Sequence, residues 1–471
     1  MKIDFFVWIL VFIYSFTLIK AENKEADHEW IKIYYESNGL KRINAHLKSE
    51  TDSLVYRTDS VANTLRVYTG DDLFILAVDS IESIVLGDNI PTVYIDTDPY
   101  VEEIQSKEDY LDASFRYVPY GDGTQPLEQP VKIRGRGNSS WGFPKKPYRL
   151  KFDKKQSIGQ LNKAKSFVLI SNYIDNTLMK NAVAFKIAEL LGMPYTNIPQ
   201  PVNVVFNGIQ RGSYMLTNKP GINSGSVDID ETEGILWELD SYYDEEFRYR
   251  SAIYKLPCMV KDPDFHEITE DDPEKIEELW KFWQNDMDKT MQAVSQGRWS
   301  EVIDAEQFVK YILVQDIVVN RELALPKSIF VFKENMDRKY KFGPVWDFDW
   351  ALNYSHGVSS NLLHTSNPTY LFFKKIFADS EFRERLQEEL DCFCEENLDN
   401  LMNFIDDYAA LIRDSALQDA ILWPAEHFNN DAEKTERNTS RFDENISSLK
   451  DFISTRIEFI KNSPNFGLYE N

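Results

Sequence analysis

Two stretches of this 471-residue chain concentrate side chains that could handle phosphate and metal ions. Between residues 131 and 155 nine cations (Lys132, Arg134, Arg136, Lys145, Lys146, Arg149, Lys151, Lys154, Lys155) stand against one acid, Asp153. In a chain of formal net charge −25, that concentration asks for a reason. At strand period Lys132, Arg134 and Arg136 share one face, with Val131 and Ile133 on the other. Arg149 and Lys151 likewise share a face opposite Tyr148, Leu150 and Phe152. Two adjacent strands would thus present one cationic surface. Gly135, Gly137, Asn138, Ser139 and Ser140 lie at the end of the first strand, where small residues let backbone N–H groups approach a ligand closely. This is a recipe for holding a polyphosphate. It lacks the Gly-Lys-Ser/Thr of a Walker loop. The alternative is a solvated basic hairpin paired with the acidic remainder of the chain.

The second stretch is Gly343-Pro344-Val345-Trp346-Asp347-Phe348-Asp349-Trp350. If a strand continues through it, the two carboxylates share a face about 7 Å apart, which suits joint contact with divalent ions and their phosphates. Carboxylates flanked by Val345, Trp346, Phe348 and Trp350 are costly to bury without a counter-ion. Hydrogen bonding to loop N–H groups or to the basic hairpin is the competing reading.

These residues need elements to position them. Short β-prone runs between 30 and 90, clearest at Leu73–Val78, predict a small β-rich module. Strands are expected at 93–95, 113–117, 131–133 and 148–152, with a turn at Gly121-Asp122-Gly123. Apolar residues at helical spacing predict a helix over 176–191, capped by Asp175 or Asn176 and ended by Gly192 and Pro194. Asn207-Gly208 signals a hairpin between strands 202–206 and 213–216. A strand at 234–239, an acidic helical region from 266 to 320, strands at 328–333 and 340–346, and helices throughout 369–462 complete the order. The fold class is α+β, strand-rich in its first half and helix-rich in its second.

Five stretches occur in an order that resembles the CotH family of atypical, spore-coat-type protein kinases. They are Ile133 to Trp141 with Pro144 to Phe152, Tyr173 to Asn181, Gly234 to Asp240, Val260 to Pro263, and Gly343 to Trp350. The resemblance covers roughly residues 93–460, within a kinase-like domain placed at 91–465. The block at 22–90 resembles those set ahead of such domains in Bacteroidetes-type proteins. The resemblance implies transfer of the ATP γ-phosphate to a protein hydroxyl on a much-altered kinase fold. It implies that the turn Arg136, Gly137, Asn138, Ser139 and Ser140 covers the phosphates, that Lys151 pairs with the nucleotide phosphates, and that Arg134, Glu238 and Lys261 also bind the nucleotide. It makes Asp347 the metal-holding aspartate, assisted by Asp349, with Mg²⁺ or Mn²⁺ as the ion. One departure stands out. The family's Asn-x-Asp reads Asn320-Arg321-Glu322 here, and the extra methylene displaces the carboxylate that would orient the substrate hydroxyl by more than about 1 Å. Lys327 is a phosphate contact or a surface lysine. Two other readings stay open: a kinase-like binding protein without catalysis, and a carbohydrate-active enzyme working through paired carboxylates.

Composition is globular, at 43% hydrophobic, 14% aromatic and 27% charged residues, and the negative charge argues against a nucleic-acid partner. The expected partners are ATP and a protein substrate. Lys2 followed by the apolar run Phe5–Ile19 reads as a secretory signal ending at Ala21, or as an uncleaved anchor. The protein is therefore expected outside the cytoplasm. Three cysteines, Cys258, Cys392 and Cys394, are too few for a disulfide scaffold and are expected as buried thiols. The six histidines are scattered; His356 and His364 follow the aspartate pair in a loop.

Overall fold

A computed structural model describes residues 30–37, 40–47, 53–58, 63–69, 72–86, 90–120, 124–352, 357–363, 368–424, 441–463 and 468. The expected signal segment, the turn at 121–123, and His356 and His364 lie outside the described residues. The chain divides into two compact units. One takes residues 1–103, 112–130 and 202–212; the other takes 104–111, 131–201 and 213–471.

In the first unit, β1 (Trp30–Ser37) pairs antiparallel with β2 (Leu40–Leu47) and with β6 (Ile81–Leu86). Strands β3 (Ser53–Thr58), β4 (Asn63–Thr69) and β5 (Asp72–Ala77) form a separate antiparallel sheet. Ile33, Leu65, Val67 and Leu76 are buried together, with Leu54, Val78 and Ile81 against them. β7 (Thr92–Asp98) pairs antiparallel with β8 (Leu111–Val118) and parallel with β12 (Gln200–Phe206). Asn207 and Gly208 both have positive φ, 48° and 74°, as a two-residue turn into β13 (Ile209–Asn218) requires.

The second unit holds the chemistry-bearing residues. Residues 131–135 of β9 (Leu127–Gly135), β10 (Tyr148–Gln156), β11 (Ala164–Ile170) and the end of β13 pair antiparallel in that order. A second sheet runs β15 (Arg248–Arg250), β16 (Pro257–Asp262), β14 (Ile235–Leu239), β17 (Ile329–Lys333), β18 (Lys341–Phe342). The longer helices are α1 (Lys180–Leu190), α2 (Pro273–Ser295), α3 (Ala305–Ile317), α4 (Pro368–Phe377), α5 (Ser380–Glu396), α6 (Leu398–Leu422) and α7 (Phe442–Asn462). The protein is therefore strand-rich in its first half and helix-rich in its second. Helix α3 is the most enclosed of the longer helices, with ten of its 13 residues buried. Phe308 on α3 meets Phe342, Phe373 and Phe382 at ring separations of 4.8, 6.3 and 5.8 Å. Aromatic contacts of this kind add roughly 0.5–1.5 kcal/mol each beyond the area they bury.

Three expectations need correction. Helix α1 starts at Lys180, because Asp175 caps from further back: its carboxylate accepts from Thr177 N (2.8 Å) and Lys180 N (2.8 Å) across an irregular turn. The strand expected over 340–346 ends at Phe342, since Gly343 has φ +139° and Pro344 has no N–H for a ladder. All three cysteines are free; Cys258 is buried, but Cys392 is exposed and Cys394 only partly covered.

Candidate active site

The paired strands β9 and β10 set Arg149 opposite Arg134 and Lys151 opposite Lys132. The alternate residues Val131, Ile133, Tyr148, Leu150 and Phe152 are buried on the other face, so the cationic face forms as expected. A cavity of about 440 Å³ opens at one end of it, within the range of ligand pockets (about 300–1,000 Å³). Arg134, Arg136 and Arg149 line this cavity, together with residues 137–140 of the small-residue turn. Lys132 and Lys151 do not: both are exposed, two residues further along the strands. This corrects the position expected for Lys151. Strand period fixes the face a side chain takes but not how far along the strand the ligand sits.

Each cation is held differently. Arg134 donates to the carbonyls of Lys107 and Glu108 and stacks over Tyr110 at 4.9 Å. Arg136 lies over Trp346 at 5.9 Å. Lys145, counted among the nine cations, is fully buried instead of solvated, 2.7 Å from Asp419 and bonded to the Ser213 carbonyl. The turn needs glycine at 137, where φ is +82° and a Cβ would stand 2.2 Å from Ser140 Oγ. Asn138 and Ser139 are exposed at its tip, and Lys107 Nζ donates to Asn138 Oδ1 (3.3 Å).

The opposite part of the lining is acidic. Asp347 and Asp349 reach the cavity, though not from a strand: Asp347 has left-handed backbone (φ +63°) in an irregular segment. Val319 (54°) and Ser328 (51°) share that rare conformation nearby in sequence to Glu322, and such outliers cluster at functional sites. Asn181, on the first turn of α1, fixes the aspartate segment from both sides. Its Nδ2 donates to Asp349 Oδ1 (2.7 Å) and its Oδ1 accepts from Phe348 N (2.9 Å). Ser328 donates its hydroxyl to Asp347 (3.4 Å) and its N–H to Asp240 (2.9 Å).

Glu322 sits in a short 3-10 turn, Arg321–Ala324, whose N–H is accepted by Asn320 Oδ1 (3.2 Å). It is only 7% exposed and 3.5 Å from Lys327 Nζ. Burial, then repulsion from Asp347, pushes its pKa up to about 8, against the pull of Lys327. Burial and Asp347 likewise push Asp349 up to about 7, opposed by the Asn181 hydrogen bond. Three carboxylates thus share a lining with too little positive charge beside them. Oxygen donors of this kind fit Mg²⁺ or Mn²⁺. Among the described residues no three acid, His or Cys side chains form a complete metal cage.

Glu238 and Lys261 meet across β14 and β16 at 2.7 Å, and Lys261 also lies 2.7 Å from Glu245. Burial opposes its charge, but the two carboxylates hold its pKa above the ordinary lysine value. Asn181, Asp240 and Lys219 also line the cavity, and none of the three has a role in the sequence analysis above. Asn181 and Asp240 close two of the stretches quoted above, where their position was the available signal. Burial raises Asp240 to about 6. Lys219 follows β13 directly, before Pro220, where no local pattern marks it.

Residues 133–460 match a family model described as CotH kinase protein. A search of curated proteins finds no match.

Proposed function

The chain belongs to the CotH kinase family, and from that premise we propose that it transfers the γ-phosphoryl group of ATP to a protein hydroxyl with the help of a divalent ion. One observation carries this reading. A single cavity is lined by Arg134, Arg136 and Arg149 on one side and by Asp347, Asp349 and Glu322 on another. Arginine forks suit phosphate oxygens, and the turn at 137–140 adds small residues beside them. Asp347 and Asp349 would hold Mg²⁺ or Mn²⁺, which when bound neutralises charge on phosphate oxygens. Glu322 accepts the proton of the substrate hydroxyl. The hydroxyl oxygen bonds to the γ-phosphorus as the bond from that phosphorus to the ADP oxygen breaks, and the electron pair leaves with ADP. A carboxylate whose pKa is raised towards neutrality suits that proton transfer.

The apolar run at 5–19 supports export as part of the same proposal. Among the described residues no helix is long and apolar enough to cross a membrane. The test is thermal shift of the purified protein with ATP and Mn²⁺, followed by radiolabel transfer to protein acceptors. Wild type should be stabilised and active, and Asp347→Asn should lose both responses while its unliganded melting temperature stays close to wild type. Full transfer activity in Asp347→Asn would sink the mechanism. Stabilisation by ATP with no transfer to any acceptor would favour a kinase-like binding protein, a reading that Glu322 in place of aspartate supports.

A further inference from the structure

Lys219 lines the cavity together with Arg149 and Lys261, directly after β13. Its backbone is fixed by a hydrogen bond from its N–H to Ser166 O (3.3 Å). Three other cations of the lining are engaged. Lys261 is clasped between Glu238 and Glu245, Lys327 faces Glu322, and Arg134 is bonded to carbonyls of the 107–108 segment. Among the described residues the Lys219 ammonium makes no hydrogen bond or ion pair, and the buried Nε of Arg149 has no hydrogen-bond partner either. The charged groups facing Lys219 are Lys261 and Arg149, which repel it, and Asp262 and Glu245, which attract it. Burial outweighs that attraction and lowers its pKa to about 7. A partly buried ammonium with two cationic neighbours and no partner is costly to keep charged. An anion in the cavity removes the cost.

We propose that Lys219 contacts the phosphate chain of the nucleotide beside Arg149, in the role that the family resemblance gives to Lys151. The assignment rests on the kinase reading above. It adds the point that the phosphate-binding lysine enters from the end of β13 and not from β10.

Titration calorimetry of the purified protein with ATP and with adenosine, each with Mn²⁺, tests it on wild type, Lys219→Met and Lys219→Arg. Loss of one charge-assisted contact should weaken ATP binding about 10- to 100-fold in Lys219→Met and leave adenosine affinity unchanged. Lys219→Arg should recover part of the loss. Equal ATP affinity in wild type and Lys219→Met overturns the assignment and leaves the kinase reading standing. Equal loss of ATP and adenosine affinity also overturns it, because a misshapen cavity then explains both. No ATP binding by wild type removes the kinase reading and this assignment with it.

Discussion

Glu322 carries one methylene more than the aspartate of the family pattern, and its surroundings are built around that length. Its N–H is pinned by Asn320, its carboxylate lies 3.5 Å from Lys327, and Asp347 is near enough to raise its pKa. Glu322→Asp should therefore lower phosphate transfer by about 100-fold, although it restores the family's residue. Steady-state kinetics at saturating ATP reads this, and an unchanged or higher rate would show that the family's shorter reach is the productive one. Lys219 supports a second prediction with a sign. Its folded-state pKa, about 7, lies below the ordinary 10.5, so its contribution to stability is full above about pH 10.5 and is lost as pH falls through about 7. Lys219→Met should melt higher than wild type below pH 7, and the gap should close towards pH 10. A gap constant with pH would mean that the ammonium is not desolvated. The two residues differ in how far they could be read from sequence. Asp347, Asp349, Arg134 and Arg136 stand out because type and local spacing mark them, and Glu322 stands out only through the family resemblance. Lys219 does not, because only the pairing of β11 with β13 brings it to the cavity.

At the scale of elements, the site depends on how helix α1 begins. Asp175 accepts the Lys180 N–H, which sets the first turn, and that turn delivers Asn181 to both Phe348 N and Asp349. The sequence marks a helix here, but its start shifts because Asp175 caps across four intervening residues. The strand expected over 340–346 stops short of the aspartate pair for a related reason: Gly343-Pro344 ends the ladder, and Asn181 supplies the order that strand pairing would have given. The contact spans 167 positions and leaves no local periodicity to read. Asn181→Ala leaves the Phe348 N–H without its acceptor and Asp349 without its donor. Buried orphans of this kind cost about 1–3 kcal/mol. Removing a residue that orients a metal-holding carboxylate commonly costs about 10- to 100-fold in metal affinity. Mn²⁺ titration in the presence of ATP should show that loss in Asn181→Ala, with urea unfolding showing the smaller stability term. Wild-type Mn²⁺ affinity in the variant would separate Asp349 from the metal site.

At the scale of the whole second unit, two fully buried ion pairs join the C-terminal helices to the segments that carry the site. Lys145 follows the small-residue turn at 137–140 and pairs with Asp419 on α6; Asp316 sits near the end of α3, just before Glu322, and pairs with Arg456 on α7 at 2.5 Å. Arg456 also donates to the carbonyls of Asp316, Val358 and Ser360, so one guanidinium ties α7 to α3 and to the segment beyond the aspartates. These partners lie 274 and 140 positions apart, and in sequence each is one charge among many. Their burial makes them informative. Removing one member strands the other charge and costs about 3–5 kcal/mol, whereas replacing both with apolar residues is often close to neutral. Arg456→Leu should accordingly lower the urea midpoint sharply, and the Asp316→Leu, Arg456→Leu double variant should regain much of it. A double variant no more stable than the single one would show that the bonds to the Val358 and Ser360 carbonyls, not the ion pair, hold α7. A chain ending at residue 440 lacks Arg456 and α7 altogether, leaving Asp316 buried without its counter-charge. Such a chain should lose ATP-dependent stabilisation together with its cooperative unfolding transition, because α7 supplies the counter-charge of Asp316 on α3, the helix that leads into the Glu322 turn.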